Sequence, residues 1–154
     1  MILGLGSDIA HIPRFIAIAS GPRAARMASR VLHPSHEAPK FHALLQTPTA
    51  ANGAGTGIEL AAKYLATCWA VKEALYKTLD PIDQAHCRFN KWHRESVLPV
   101  NLKQDSLPNV DRFRKPTIIN NRYSEKHPKE RFHLTISHDG EYVFATVIRE
   151  QVSI

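Results

Sequence analysis

Cysteine is scarce in this chain and unpatterned: Cys68 and Cys87 are the only two in 154 residues. Two such thiols support neither a disulfide framework nor a zinc finger, and they read as reduced cysteines in a reducing compartment. No apolar run approaches the roughly 20 residues needed to cross a bilayer, so no membrane association is expected. No leader peptide is evident either, because a strand-like run starts almost at Met1. Acidic residues are in deficit: 14 Asp and Glu face 20 Lys and Arg, for a net charge of +6 and a sequence pI near 9.6. That imbalance points to an anionic partner, whether nucleic acid, a phosphorylated small molecule or an acidic protein. Nine histidines invite a metal reading. Yet His33 with His36, and His86 with Cys87, lack the remaining ligands of a tetrahedral site.

What is present suits one soluble globular domain spanning 1–154, with a single core and no internal repeat. Hydrophobic residues make up 44% and charged residues 22%, which is ordinary for that class. The most informative stretch runs from Ile58 to Leu79. Leu, Ala, Glu and Lys dominate it, no Pro interrupts, and Gly57 precedes it, so a helix of about six turns is expected. At 100° per residue, Ile58, Ala61, Leu65, Cys68, Val71 and Leu75 fall in one wide apolar arc. Ala66, Ala70 and Ala74 form a second, small-residue ridge, so both sides are expected to be buried. Lys72 then sits inside the apolar arc, Glu73 on its border and Lys77 one turn further on. The bland reading is a rim ion pair worth a few tenths of a kcal/mol. The sharper reading is a carboxylate at a cleft wall with cations beside it, where a phosphate and a divalent metal would sit.

Around this helix the chain reads as follows. Ile2 to Ile9 forms a strand in which Leu3, Leu5, Ser7 and Ile9 face one way and Gly4, Gly6 and Asp8 the other. Glycines inside a strand mark a bulge, tight packing against the Ala66/Ala70/Ala74 ridge, or a ligand cleft with Asp8 at its mouth, and packing and cleft can hold together. Pro13 opens a short helix that Gly21-Pro22 ends, and a second helix follows from about Pro22 to Val31. On it Arg23, Arg26 and Arg30 make one basic stripe, with Arg14 shortly before. The stripe is either a solvated face or a docking surface for something acidic. His33 to Thr56 reads as a loop around a short helix, mobile near Asn52-Gly53. Asp80-Pro81 closes the long helix. Short β-prone pieces occur at Val97 to Leu102 and Thr117 to Ile119, and the segment from Arg112 to Arg131 is basic. Phe132 to His138 and Glu141 to Ile148 form a hairpin across Asp139-Gly140, with Ser137 and His138 at the strand end.

Three of these pieces together resemble the 4′-phosphopantetheinyl transferases. Gly4-Leu5-Gly6-Ser7-Asp8-Ile9 is similar to their first signature. Trp69-Ala70-Val71-Lys72-Glu73-Ala74-Leu75-Tyr76-Lys77 is similar to their second, (W/F)-A-x-K-E-A-x-x-K, and Leu134-Thr135-Ile136-Ser137-His138 to the late strand ending in Ser-His. The length and the early first motif point to the holo-acyl-carrier-protein synthase branch, and the His33-Pro34 segment resembles its fungal mitochondrial members.

The resemblance implies an α+β fold, a small antiparallel sheet packed against a long central helix, with one chain supplying a single half-repeat unit of a homotrimer. It implies Mg²⁺-dependent transfer of the 4′-phosphopantetheine arm of coenzyme A to a serine of an apo acyl carrier protein, releasing adenosine 3′,5′-bisphosphate. Asp8 and Glu73 match the metal ligands. Lys77, and with it Lys72, would neutralise the diphosphate, and Ser137 and His138 match positions near the nucleotide phosphates. Arg14, Arg23, Arg26 and Arg30 lie where relatives dock the acidic carrier. The base that takes the serine proton stays open among a water on the metal, Glu73, Glu37 and His36. The mitochondrial matrix is the implied compartment, with the cytoplasm the alternative.

Departures are visible as well. Cys68 replaces the basic residue that usually precedes the aromatic, His36 aligns with an expected acid with Glu37 one step along, and Leu79-Asp80-Pro81 replaces a glycine-rich turn. Two other readings compete: a basic nucleic-acid-binding module, and a catalytically weakened carrier-protein binder. The first leaves Glu73 and the glycines beside Asp8 unexplained, and no nucleic-acid-binding motif is present.

Overall fold

The computed structural model describes residues 1–48, 55–98, 109, 112 and 114–152. In chain order the elements are β1 (Ile2–His11), α1 (Ile12–Ala19), α2 (Ala24–Val31), α3 (Ala38–Leu45), α4 (Gly57–Tyr76) and α5 (Pro81–His86). A single 3-10 turn (Phe89–Lys91) follows, then β2 (His93–Val97), β3 (Lys115–Ile119), α6 (Asn121–Lys126), β4 (Glu130–Asp139) and β5 (Tyr142–Gln151).

The long helix forms where its composition predicts, and its start is fixed by a capping box. Thr56 Oγ1 accepts the Glu59 amide at 3.2 Å, and the Glu59 carboxylate accepts the Thr56 amide at 2.6 Å, satisfying two N-terminal donors at once. Both apolar sides of α4 are covered, by β1 and β5 and by α1 and α3. Ala61, Leu65, Cys68, Val71 and Leu75 are fully buried, and so are Ala66, Ala70 and Ala74 of the small ridge.

β1, β5 and β4 make a three-stranded antiparallel sheet in that order, with β5 central. Its hairpin loop is Gly140-Glu141, since Asp139 pairs with Tyr142, and Gly140 takes a φ of +52° that a glycine supplies without strain. Across the three strands Asp8 lies opposite Ala145 and Ile136, whereas Ile9 lies opposite Phe144 and Ser137. Residues opposite one another share a face. Gly6, Asp8 and Ala10 therefore face α4, while Leu5, Ser7 and Ile9 face away from it, as the alternation predicts.

The glycine strip in β1 is filled by protein. A Cβ on Gly6 would lie 2.0 Å from the Ala74 carbonyl oxygen, and one on Gly4 would lie 2.7 Å from that of Thr78. Close packing against α4, one of the expectations for these glycines, is observed.

The region after α4 departs most from expectation. Asp80-Pro81 does not simply end a helix: Asp80 leads into α5, with Pro81 in its first turn, where its missing amide costs nothing. α6 was likewise not expected, and it is capped by Asn120 Oδ1 accepting the Tyr123 amide at 3.2 Å. The first β-prone piece is shifted, since β2 covers His93–Val97 and pairs with β3 from His93–Ile119 to Val97–Lys115. Residues 99–102 lie outside the described residues, as does Asn52-Gly53. Trp92, fully buried, packs against Tyr123 and Phe132 with ring centroids 5.1 and 5.4 Å away. Arg149 of β5 reaches Asp80 Oδ2 at 3.1 Å and the Tyr123 hydroxyl at 3.3 Å, tying α5 and α6 to the sheet. Among the described residues, no helix is long and apolar enough to cross a membrane.

The contact at Gly6 yields a stability prediction. Gly6→Ala is expected to lower the unfolding free energy by about 1–3 kcal/mol or more through overpacking. In urea denaturation its midpoint should fall clearly below wild type; an unchanged midpoint would contradict the backbone-to-backbone contact.

Candidate active site

With no side chain at Gly6 to hold them apart, β1 and the last turn of α4 bring their charged residues together. Lys77 directly follows α4, and its Nζ donates to Asp8 Oδ1 at 2.9 Å and to the Ser7 carbonyl oxygen at 2.6 Å. Glu73 stands one turn earlier and is partly buried. Its carboxyl is held above the usual carboxylate range, first by burial and then by the negative charge of Asp8, with Lys77 and Arg14 pulling the other way. Asp8, Glu73, Lys77 and Arg14 thus form one electrostatic unit. The expected rim pair between Glu73 and Lys77 gives way to an ion pair between Lys77 and Asp8.

Glu73 opens into a groove of about 1080 Å³ whose lining includes Arg14, Arg23, Arg26, Arg30 and Trp69. Among the described residues it is the one acid on this lining. Arg14 is braced there, its guanidinium 5.5 Å from the Trp69 ring centroid and 5.4 Å from that of Phe15, in cation–π contact. The four arginines of the expected stripe therefore share one groove with Glu73. A surface this rich in arginine attracts anions.

Lys72 is not part of this groove, and the expectation that it contacts a diphosphate is corrected here. Its side chain has no exposed surface, and its Nζ donates to Glu37 Oε2 at 2.5 Å and to the Val31 carbonyl oxygen at 2.6 Å. Burial pulls the Lys72 pKa down, and Glu37 opposes the shift. Glu37 is buried as well and also accepts the His33 amide at 3.0 Å and the Arg94 amide at 3.3 Å. Fully engaged and out of solvent, it is removed from the possible bases. The reason is periodicity: position 72 lies in the arc of α4 that packs into the core, one step round from Glu73.

Ser137 and His138 are not brought to Asp8 within one chain. β4 is separated from β1 by β5, and Ser137, opposite Phe144, lies on the sheet face away from α4. Both residues are exposed.

Cys68, which replaces an expected basic residue, is fully buried, and burial pushes its thiol up to about 11. Arg94 of β2 supplies a cation at that place, its Nη2 donating to Cys68 Sγ at 3.5 Å while the guanidinium lies 5.2 Å from the Tyr64 ring centroid. Neither the Arg94–Cys68 contact nor the Lys72–Glu37 pair was foreseen. The misplaced charge of Lys72 was the signal for a buried partner, but nothing local pointed to position 37.

Comparison with known proteins identifies the family. The model of the 4′-phosphopantetheinyl transferase superfamily matches residues 4–147, and the chain belongs to that superfamily. The relatives it matches are holo-acyl-carrier-protein synthases. A mitochondrial holo-[acyl-carrier-protein] synthase of Eremothecium gossypii is 26% identical over 159 residues, covering 95% of this chain and 78% of the relative. A Plasmodium yoelii acyl carrier protein synthase with ADP bound superposes with a TM-score of 0.65 at 18% identity, covering 99% of this chain and 98% of that one. A Bacillus anthracis holo-(acyl-carrier-protein) synthase in complex with CoA superposes with a TM-score of 0.59 at 20% identity over 99% of each chain. The expected fold, a small antiparallel sheet against a long helix, is the one observed.

The Lys72–Glu37 pair gives the second prediction. Lys72→Met leaves a buried carboxylate unpaired and should cost about 3–5 kcal/mol, whereas Lys72→Met with Glu37→Gln should recover most of that loss. A denaturation double-mutant cycle showing additive losses would contradict the coupling.

Proposed function

We propose that this chain transfers the 4′-phosphopantetheine arm of coenzyme A to a serine hydroxyl of an apo acyl carrier protein and releases adenosine 3′,5′-bisphosphate. One observation carries the reading: Asp8 and Glu73, far apart in sequence, share one electrostatic neighbourhood with Lys77, and Glu73 opens into an arginine-lined groove.

The donor set fits Mg²⁺. It is made of carboxylate oxygens, which suit a hard cation that keeps waters and shares phosphate oxygens, and the Glu73 carboxyl already feels the negative charge of Asp8. Asp8 and Glu73 would hold the ion. When bound, it supplies positive charge to the diphosphate at the scissile bond. Lys77 is half-exposed, so its ammonium can turn from Asp8 to a diphosphate oxygen. Arg14 offsets charge beside Glu73. Arg23, Arg26 and Arg30 bind the acidic face of the carrier protein and set its serine at the groove's end, where proximity does much of the work.

Ser137 and His138 serve the nucleotide phosphates in a site completed by a second copy. The outward sheet face supports such an assembly. Leu5 and Ile9 are 65% and 60% exposed and Phe144 is 45% exposed, on one contiguous surface, and an apolar patch of this kind marks an interaction face. A homotrimer is the assembly we infer, and the mitochondrial relative supports the mitochondrial matrix as the compartment.

The test is to incubate the chain with coenzyme A, Mg²⁺ and an apo carrier protein and follow the carrier by mass spectrometry. A pantetheinyl mass increase is expected, with kcat lower by about 100-fold or more for Asp8→Ala and for Glu73→Ala at unchanged circular dichroism. No mass increase, with or without carrier binding, would overturn the reading, and salt-sensitive nucleic-acid binding in its place would favour the nucleic-acid module. In the same assay Arg26→Glu with Arg30→Glu should raise the KM for the carrier and leave that for coenzyme A unchanged. Equal effects on both would contradict the docking role.

A further inference from the structure

Three imidazoles lie outside the lining of the arginine groove, yet the fold gathers them. His33 follows α2, His36 lies in the turn before α3, and His93 opens β2 almost sixty residues later. One nitrogen or another from each lies within 4.8 Å of the other two. The pairing of His33 with His36 is local, and the third member arrives only because β2 packs against the turn.

His93 supplies the strongest argument. It is 3% exposed, and its Nε2 lies 2.8 Å from Glu95 Oε1, so that nitrogen carries the proton. Nδ1 is left with its lone pair, buried and without a hydrogen-bond partner among the described residues. A buried polar atom without a partner is costly and rare in native proteins. A carboxylate on one ring nitrogen with the other left free is how metal-binding histidines are oriented by their surroundings.

The other two rings are less constrained. His33 Nδ1 accepts the Ser35 amide at 3.2 Å, a long bond that metal binding can displace. His36 is exposed and stacked on His93, with centroids 3.8 Å apart and planes 6° from parallel. Ring lone pairs lie in the ring plane, so this stack is a metal-free arrangement that opens as His36 swings. Metal–nitrogen bonds of about 2.0–2.1 Å require the three nitrogens to close up by as much as about 1.5 Å, which a surface turn permits.

We propose that His33, His36 and His93 form a site for Zn²⁺ or another late first-row divalent ion, separate from the carboxylate pair. Three imidazoles suit such borderline ions and not Mg²⁺, which takes oxygen. Three protein ligands leave a fourth position, open on the exposed His36 side to water or a donor from a partner. A bound ion would pin the turn after α2 to β2. Through Glu37 it would steady the segment leading back to the arginines of α2.

The experiment uses full-length chain without a histidine tag, stripped with chelator and then titrated with Co²⁺ and with Zn²⁺. One ion per chain is expected, with a visible four-coordinate Co²⁺ spectrum that excess Zn²⁺ abolishes and excess Mg²⁺ does not. Zn²⁺ should also raise the Tm. His36→Ala and Glu95→Gln lie at exposed positions and should fold. The first should remove the spectrum and the Tm rise, and the second should weaken binding about 10-fold or more. No stoichiometric ion, or binding that His36→Ala leaves unchanged, would overturn the proposal.

Discussion

The approach of β1 to α4 governs the candidate site. Backbone meets backbone where Gly6 faces the Ala74 carbonyl oxygen, and a single methyl group there would collide with it at 2.0 Å. Asp8 is two residues beyond Gly6 on the same strand face, and Glu73 and Lys77 flank Ala74 on the helix. Their convergence follows from that one contact. A strand held a few ångströms further out would leave Asp8 without Lys77 and Glu73 without the charge that raises its pKa.

A second constraint lies one step round the helix. The buried pair of Lys72 and Glu37 is weak evidence for stability, because desolvation offsets most of the attraction. What the pair does visibly is hold parts in place. Lys72 bonds the end of α2 through Val31, and Glu37 bonds the His33 and Arg94 amides. The α2 helix, with Arg26 and Arg30 on its outer side, is thereby tied to the middle of α4. Adjacent residues of one helical motif thus divide the labour, Lys72 fastening α2 from inside while Glu73 faces the groove.

Much of this was legible in the sequence, for physical reasons that also explain what was not. Periodicity carries the face of each residue on a regular element, so the two-sided burial of α4, the inward Gly6 and Asp8 and the arginine stripe could all be read directly. Turn chemistry carried the hairpin at Gly140. Periodicity could also say that Lys72 pointed inward, but not which residue would meet it, because Glu37 comes from an irregular turn. Arg94 beside Cys68 and His93 beside His33 were illegible for the same reason, since the packing of β2 against distant segments is a tertiary event. α5 and α6, of six residues each, are too short for their periodicity to show.

The outward sheet face and the distant Ser137 fit a site shared between copies, with the carboxylate pair as its fixed centre. The claim on which the account rests is that Asp8 and Glu73 act as one ligand set for a cation on the coenzyme's diphosphate. Mn²⁺ reports such oxygen sites, and the most direct measurement is an anomalous difference map from crystals grown with Mn²⁺ and coenzyme A. The account predicts a peak ligated by both carboxylates and by a diphosphate oxygen. Bound coenzyme with no Mn²⁺ at those two carboxylates would contradict it.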